Sequence, residues 1–553
     1  MNGGVGLNYY CTWHIMGGAP EKLGRADIPQ ARDVLCDELL FGENGLAVTA
    51  YPGLRGGLLF MMDDGWEIPF SHGRDEGAWL KPYLGSCQMD PEKFPGYGDT
   101  PRERLKTLRE KLEALGWKGL GIWISPTIAY GADVEGREAR FTEYWRQRLE
   151  WSRYAGVAYW KADWGDYDIS DRHKKILVAL KEELYPALVF ENAHVRPPMN
   201  LRGREVLFSL AAHRHRLGYS DVLRTYDVHI PLSIPTTLSR VAALLKYPPK
   251  MNPGRLGLIN AEDEPYINAA LGFAMGIMRY DPGQFCPAGT KEPMDAAFNG
   301  VRPLNYQLDE AARCVRWQAE FAPAFSISLG NSTISKEQGA DAWFLTKDQT
   351  WLRFLQDKRI EQRAPLVIAR NVAQPEIMSI EDISPYLLAS RNPNGSLSLA
   401  ALGRLTGEGK YVAPRACVRW EIGDLSGAIG IFGYFGSLEL VFNRCLEGKG
   451  VFAKDLLEDK FTDITDEVEI LGNALRLPGK VIEKIGLRGA SAGDVSAPGM
   501  AFRIGEINDF VPVEVSPARP KRPPFYGLCL AQLRLAARVH TGKKRRDHRR
   551  RLQ

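Results

Sequence analysis

A chain of 553 residues, 44% hydrophobic and 25% charged, is long enough for more than one domain and has the composition of a soluble globular protein. Its net charge of +4 is local: residues 541–553 hold seven Lys/Arg against Asp547, a net of +6, which leaves −2 on the first 540 residues. A near-neutral body gives no electrostatic footprint for nucleic acid, no run approaches the roughly 18 apolar residues of a membrane span, and eight Cys without a CxxC pair speak against a zinc ribbon or a redox motif.

In chain order, Leu7–Trp13 reads as a strand, and Leu58–Met62 as a second that ends in Asp63-Asp64-Gly65-Trp66. Residues 100–116 predict a helix, with a Thr cap, Pro in the first turn and a terminal Gly. Gly119–Ile124 is a third strand, Thr142–Tyr154 a helix, and residues 157–162 a fourth strand that runs into Lys161-Ala162-Asp163-Trp164-Gly165. A helix over 171–184 leads to Ala187–Phe190, followed by Glu191-Asn192. Val222–Tyr226 ends in Asp227, Leu256–Ile259 ends in Asn260-Ala261-Glu262, and an eighth strand falls within 272–281. Repeated βα units imply a parallel sheet, and about eight of them in this length fit an α/β (β/α)8 TIM barrel.

Residues 305–322 read as a helix. Beyond it the texture becomes short β-rich runs, among them Leu366–Ala369, Leu397–Ala401, Val418–Ile422, Ala428–Phe432 and Leu438–Phe442, separated by Gly, Asn and Pro turns. That spacing suits a C-terminal antiparallel β-sandwich. The expected division is a barrel over 1–305, a connecting helix over 306–324, a sandwich over 325–504 and a Pro/Arg/Lys-rich disordered tail over 505–553. The N-terminus lacks a basic, apolar leader, so a cytoplasmic protein is expected. The chain opens almost directly on a strand, which leaves room for an upstream segment. The lone His213-x-His215 has no ligand-spaced acidic or Cys partner, so no metal is expected there.

Acidic residues close several strands: Asp63, Asp64, Asp163, Glu191, Asp227 and Glu262. In a barrel those ends converge on one mouth, where active sites sit. Lys161 and Asp163, two apart on a strand, share one face, so the cation is placed to keep the carboxylate ionised. Scattered strand-end acids suit a hydroxyl-rich ligand such as a sugar.

Asp63-Asp64-Gly65-Trp66 after the second strand, Lys161-Ala162-Asp163 after the fourth and Arg224-Thr225-Tyr226-Asp227 after the sixth resemble glycoside hydrolase clan D, the α-galactosidases of families 27 and 36. The resemblance covers the barrel and extends loosely to the sandwich. It implies a retaining α-galactosidase-like hydrolase with Asp163 as nucleophile and Asp227 as acid/base. It also implies sugar contacts from Trp13, Asp63, Asp64, Lys161, Trp164, Glu191 and Arg224, and an α-galactoside or related oligosaccharide as substrate. No metal or organic cofactor is implied, nor a nucleic-acid or membrane partner. The family usually spaces the Arg and the acid/base by one residue more, which keeps Asp221 as a second candidate for that role. A related specificity (α-N-acetylgalactosaminidase, β-L-arabinopyranosidase or a transglycosylase) and a non-catalytic carbohydrate-binding barrel are the alternatives.

Overall fold

The computed structural model describes residues 7–13, 35–67, 85–126, 136–163, 171–193, 214–225, 230–278, 306–345, 358–406, 410–490 and 497–505. Eight parallel strands form its first sheet: β1 (Tyr9–Cys11), β2 (Leu59–Met62), β3 (Gly119–Ile124), β4 (Tyr159–Ala162), β5 (Val189–Ala193), β6 (Val222–Arg224), β7 (Leu258–Asn260) and β8 (Gly276–Ile277). From β1 to β7 each pairs with its neighbour in sequence, and β8 pairs with β1. A parallel bridge between Asn260 and Ala274 joins the β7 and β8 segments and closes the barrel. The fold is therefore a (β/α)8 barrel.

Three of the intervening helices form where the pattern predicts them, while Ile230–Lys246 and Pro265–Leu271 had no predicted counterpart. Helix α1 (Pro101–Ala114) starts at Thr100, whose hydroxyl and the Glu103 carboxylate make a reciprocal capping box. It buries Leu105, Leu108 and Leu112, one stripe at helical spacing. Helix α2 (Arg137–Ala155) is longer than the expected 142–154 and ends on Gly156 in the left-handed conformation. Helix α3 (Asp171–Leu184) has the expected bounds.

Alternation along the strands separates two environments. One set of side chains, including Tyr10, Phe60, Ile122, Trp160, Phe190 and Ile259, joins the core between strands and helices. The other, including Tyr9, Leu59, Met61, Tyr159, Val189, Val222 and Leu258, fills the barrel. Two glycines make room for this filling. A Cβ on Gly276 would lie 2.5 Å from the Tyr9 ring, and one on Gly121 would lie 2.6 Å from Met61 Cε.

Helix α4 (Tyr306–Glu320) leads into the β-region. An eight-stranded sheet runs, edge to edge, Thr462–Asp463, Gly450–Asp455, Gly499–Gly505, Ile429–Gly433, Leu397–Leu402, Tyr386–Arg391, Val367–Arg370, Ser332–Ile334. It faces a five-stranded sheet of Glu376–Ile380, Ala416–Gly423, Ser437–Phe442, Ala474–Pro478 and Glu469–Leu471. Trp420, Leu438, Leu440 and Leu475 pack between them against Leu387, Leu399, Ile429 and Phe502. The sandwich is mostly antiparallel, as expected, but contains three parallel pairings: Val367–Arg370 with Tyr386–Arg391, Leu397–Leu402 with Ile429–Gly433, and Ala416–Gly423 with Ser437–Phe442. The larger sheet is apolar on both faces because its other face, with Leu388, Ala400 and Phe432, packs on the barrel side against Tyr266 and Trp317. A buried Arg313–Asp455 pair, at 2.9 and 3.0 Å, pins α4 to this sheet. Among the described residues no helix is long and apolar enough to cross a membrane. Of the expected tail over 505–553, Gly505 ends the strand Gly499–Gly505, and residues 506–553 lie outside the described residues.

Candidate active site

The barrel interior changes character along its axis. Near the N-terminal ends of the strands it is aliphatic, with Leu59, Val189, Val222 and Leu258. Two residues further along each strand the inward positions are Met61, Lys161, Glu191, Arg224 and Asn260, and past the strand ends stand Asp63, Asp163 and Glu262. The hydroxyls of Tyr9 and Tyr159 lie where the two zones meet.

Arg224 is the hub of the polar zone. Its guanidinium reaches Asp163 Oδ2 at 2.8 Å, Glu262 Oε2 at 2.9 Å and Glu191 Oε1 at 3.2 Å. Lys161 Nζ lies 3.0 Å from Asp63 Oδ2 and 3.1 Å from Glu262 Oε1. The Cys11 thiol donates to the same Asp63 oxygen at 3.0 Å. Glu191 Oε2 accepts from Tyr159 (2.8 Å) and Asn260 (2.8 Å). The Tyr9 hydroxyl bridges Glu191 and Glu262 at 3.2 and 2.9 Å and accepts from Asn260 at 3.0 Å. Four carboxyl groups thus share two cations.

The environment separates these groups. Burial pushes the Asp163 carboxyl up, but Arg224, Lys161 and the Trp123 indole outweigh it and hold it below the usual range. Glu262, also opposed by burial, is drawn down to about 2 by Arg224 and Lys161. Glu191 goes the other way: burial raises it, and Arg224 does not fully offset that. Burial lowers Lys161 and Arg224 opposes its charge, yet Asp63, Cys11 and Glu262 keep its ammonium well above the ordinary range.

Asp163 differs from the other carboxylates in access. Its side chain keeps 14% exposure, against 3% for Asp63 and none for Glu191 or Glu262. Both of its donors, Arg224 and the Trp123 indole N–H at 3.3 Å, fall on Oδ2. Oδ1 has no donor among the described residues. Among the described residues one oxygen is clamped and the other is not.

Asp63, Lys161, Asp163, Glu191 and Arg224 therefore meet in one cluster. Asp64 is buried beside it, its N–H donating to Asp63 Oδ1 at 3.0 Å. Trp13 follows β1, half-buried and packed against both barrel cores. Trp164 and Asp227 lie outside the described residues. Lys161 helps hold Asp163 ionised, as expected, but at longer range, and the direct partner is Arg224. Two expectations need correction. Glu191 sits within β5, not after it. Asp221, the second acid/base candidate, precedes β6 at the opposite end of the barrel. There it accepts from the Phe190 N–H at 2.9 Å and pairs with Lys181 and Arg255, each at 3.1 Å.

The sequence reading passed over Tyr9, Cys11, Trp123, Tyr159, Asn260 and, as a site residue, Glu262. A usable signal was present: Tyr9/Cys11, Tyr159/Lys161/Asp163 and Asn260/Glu262 each follow the two-residue period of an inward face. Among the described residues no cluster of His, Cys, Asp and Glu could hold a metal ion.

No family model and no curated protein sequence matches the chain. The chain is similar to solved structures of family 27 glycoside hydrolases. One is a β-L-arabinopyranosidase of Geobacillus stearothermophilus, at 10% identity and a TM-score of 0.38, covering 93% of this chain and 98% of that one. A variant of that enzyme in complex with arabinose gives 9% identity and 0.37, covering 91% and 97%. A candidate α-N-acetylgalactosaminidase of Bacillus halodurans C-125 gives 10% and 0.35, covering 90% and 97%. At such values the likeness carries no argument about activity, which rests on the chain's own residues.

Proposed function

We propose that the chain is a retaining glycoside hydrolase, α-galactosidase-like, with Asp163 as nucleophile and Asp227 as acid/base. The observation that carries the reading is the state of Asp163. It is an ionised, partly exposed carboxylate at the barrel mouth, clamped through Oδ2 by Arg224 and Trp123 with Oδ1 free of donors among the described residues.

In the proposed reaction Asp163 Oδ1 attacks the anomeric carbon as the glycosidic C–O bond breaks, and Asp227 protonates the departing oxygen. Water, deprotonated by Asp227, then cleaves the glycosyl ester and releases the sugar with its original anomeric configuration. The transition state carries positive charge on the sugar ring. The excess of carboxylates over cations around Asp163 favours that charge, and Arg224 keeps the leaving carboxylate stable in the second step. Asp64, Trp13 and Trp164 remain the proposed sugar contacts. Asp63 and Lys161 engage each other and serve the pocket as a pair.

The test is a panel of p-nitrophenyl glycosides given to wild type and Asp163→Ala. The reading expects release from an α-galactoside or a close relative, such as an α-N-acetylgalactosaminide or a β-L-arabinopyranoside, and none from the variant. Undiminished activity in Asp163→Ala would end it.

A further inference from the structure

On the sandwich, at the end of α4, lies a groove of about 450 Å³ lined by Phe321, Leu425, Ser426, Arg444, Arg503 and Ile504, among others. Its floor is a stiff turn. Asn392 donates to Pro323 O at 2.7 Å, Asn394 to Phe321 O at 2.7 Å, and Ser396 Oγ to Phe321 O at 2.9 Å. Gly395 adopts a φ of +90°, and a Cβ there would lie 1.9 Å from Ser426 Oγ.

The cations around the groove fall into two kinds. Arg316 and Lys454 are satisfied. Arg316 donates to the carbonyls of Leu457 and Glu458 and to Asp459, and both cations hold Glu320, the acidic residue of the lining. Arg444 and Arg503 have no carboxylate partner among the described residues. Arg503 nevertheless has aromatic neighbours, its guanidinium 5.3 Å from the Phe321 ring and 5.5 Å from the Phe461 ring. These cation–π contacts bias the position of the exposed Arg503 guanidinium while leaving its N–H groups able to meet a planar, bidentate acceptor. Two groove-lining arginines with no carboxylate partner among the described residues suit an anionic ligand. The volume exceeds that of a simple inorganic ion and falls in the range of small-molecule sites. Apolar walls from Leu425 and Ile504 next to the Ser426 hydroxyl suit the alternating C–H and hydroxyl surfaces of a sugar.

We propose that this groove binds an acidic saccharide, with a uronate carboxylate taken by Arg503 and Arg444 and the ring lying on the Leu425/Ile504 wall. The proposal is independent of the barrel's activity.

The test is calorimetric titration of the full chain with trigalacturonate, with maltotriose as a neutral oligomer of equal length and sodium sulfate as a simple anion. Trigalacturonate should bind saturably and weaken with added salt. Arg444→Gln should reduce its affinity, and the Arg444→Gln/Arg503→Gln pair should reduce it at least tenfold. Arg444 is exposed, so its single variant guards against a folding artefact. Hydrolysis of a small aryl glycoside by these variants should be unchanged, which separates this site from the barrel mouth. Equal binding of maltotriose, equally tight binding of sulfate, affinity undiminished in the variants, or no saturable binding at millimolar trigalacturonate would each overturn the proposal.

Discussion

The two ends of β6 both bury a carboxylate against cations, and they do so in opposite ways. At the N-terminal end Asp221 meets Lys181 and Arg255, and the partly exposed Glu182 joins the same two cations. Acids and bases balance there, and Asp221 also receives a backbone N–H. At the C-terminal end Arg224 and Lys161 face Asp63, Asp163, Glu191 and Glu262. That end holds more acid than base in a desolvated space, an arrangement costly to folding. The balanced end behaves as an anchor between β5, β6 and α3. The unbalanced end makes sense as a site that stabilises positive charge in a reaction.

The sharpest way to break this contrast is to neutralise one acid at each end. Asp163→Asn should lower kcat on a responsive aryl glycoside by about 10⁴-fold, as loss of a residue acting in the transition state does. Its thermal stability should change little by comparison. Asp221→Asn should do the reverse, costing about 3–5 kcal/mol because two buried cations lose their partner, with kcat unchanged. Steady-state kinetics and denaturant unfolding on both variants check this. A large kcat loss in Asp221→Asn with full stability would erase the contrast.

Glu262→Gln should also destabilise at neutral pH, but by less than Asp221→Asn, because Arg224 keeps Asp163 and Glu191 and Lys161 keeps Asp63, and here the pH dependence is informative. Glu262 is depressed in the fold from its ordinary 4.5 to about 2. Its ionised form therefore contributes stability that is present above about pH 4.5 and is lost as the pH falls through about 2. The gap in unfolding free energy between wild type and Glu262→Gln should narrow steadily across that window. A gap constant with pH would show that Glu262 acts by packing, not charge. The smallest effect is expected from Cys11→Ala, which removes one donor to Asp63 while Lys161 remains. A cost of about 1 kcal/mol is expected, read as a modest shift in the urea midpoint.

Much of the barrel was legible because its signals are local. Thr100, Pro101 and Glu103 announce α1, and Gly119–Ile124 is an unbroken apolar run between a glycine turn and a polar loop. The short strands were harder. Gly276–Ile277 has two residues and is placed by its pairing with β1, which no local pattern encodes. In the sandwich, Glu376–Ile380 is an edge strand with mostly exposed side chains, and Gly450–Asp455 buries Lys454 and Asp455. Their charges are matched by Glu320 and Arg313 from the distant α4, so the sequence around them reads as polar. Tyr386–Arg391 had a readable apolar run and was passed over.

The site was legible as strand-end acids but not as a network. Lys161 two residues before Asp163 on one strand announced a cation near the carboxylate, but the register across β4, β5 and β6 is what delivers Arg224 to Asp163 and turns Lys161 toward Asp63 and Glu262. Partner choice between strands depends on stagger around a closed barrel, which adjacency along one strand does not contain. The same stagger removes Asp221: one residue before β6 is the floor, and one after it is the mouth.

The central claim is that Asp163 is the nucleophile of a double displacement. The most direct test is to incubate the protein with 5-fluoro-α-D-galactosyl fluoride, or the corresponding fluoride of whichever sugar the panel selects, and to map the labelled peptide by mass spectrometry. The account predicts one glycosyl adduct per chain, on Asp163, formed as activity is lost and released as activity returns. An adduct on another carboxylate, or hydrolysis of the reagent with inversion and no adduct, would contradict it.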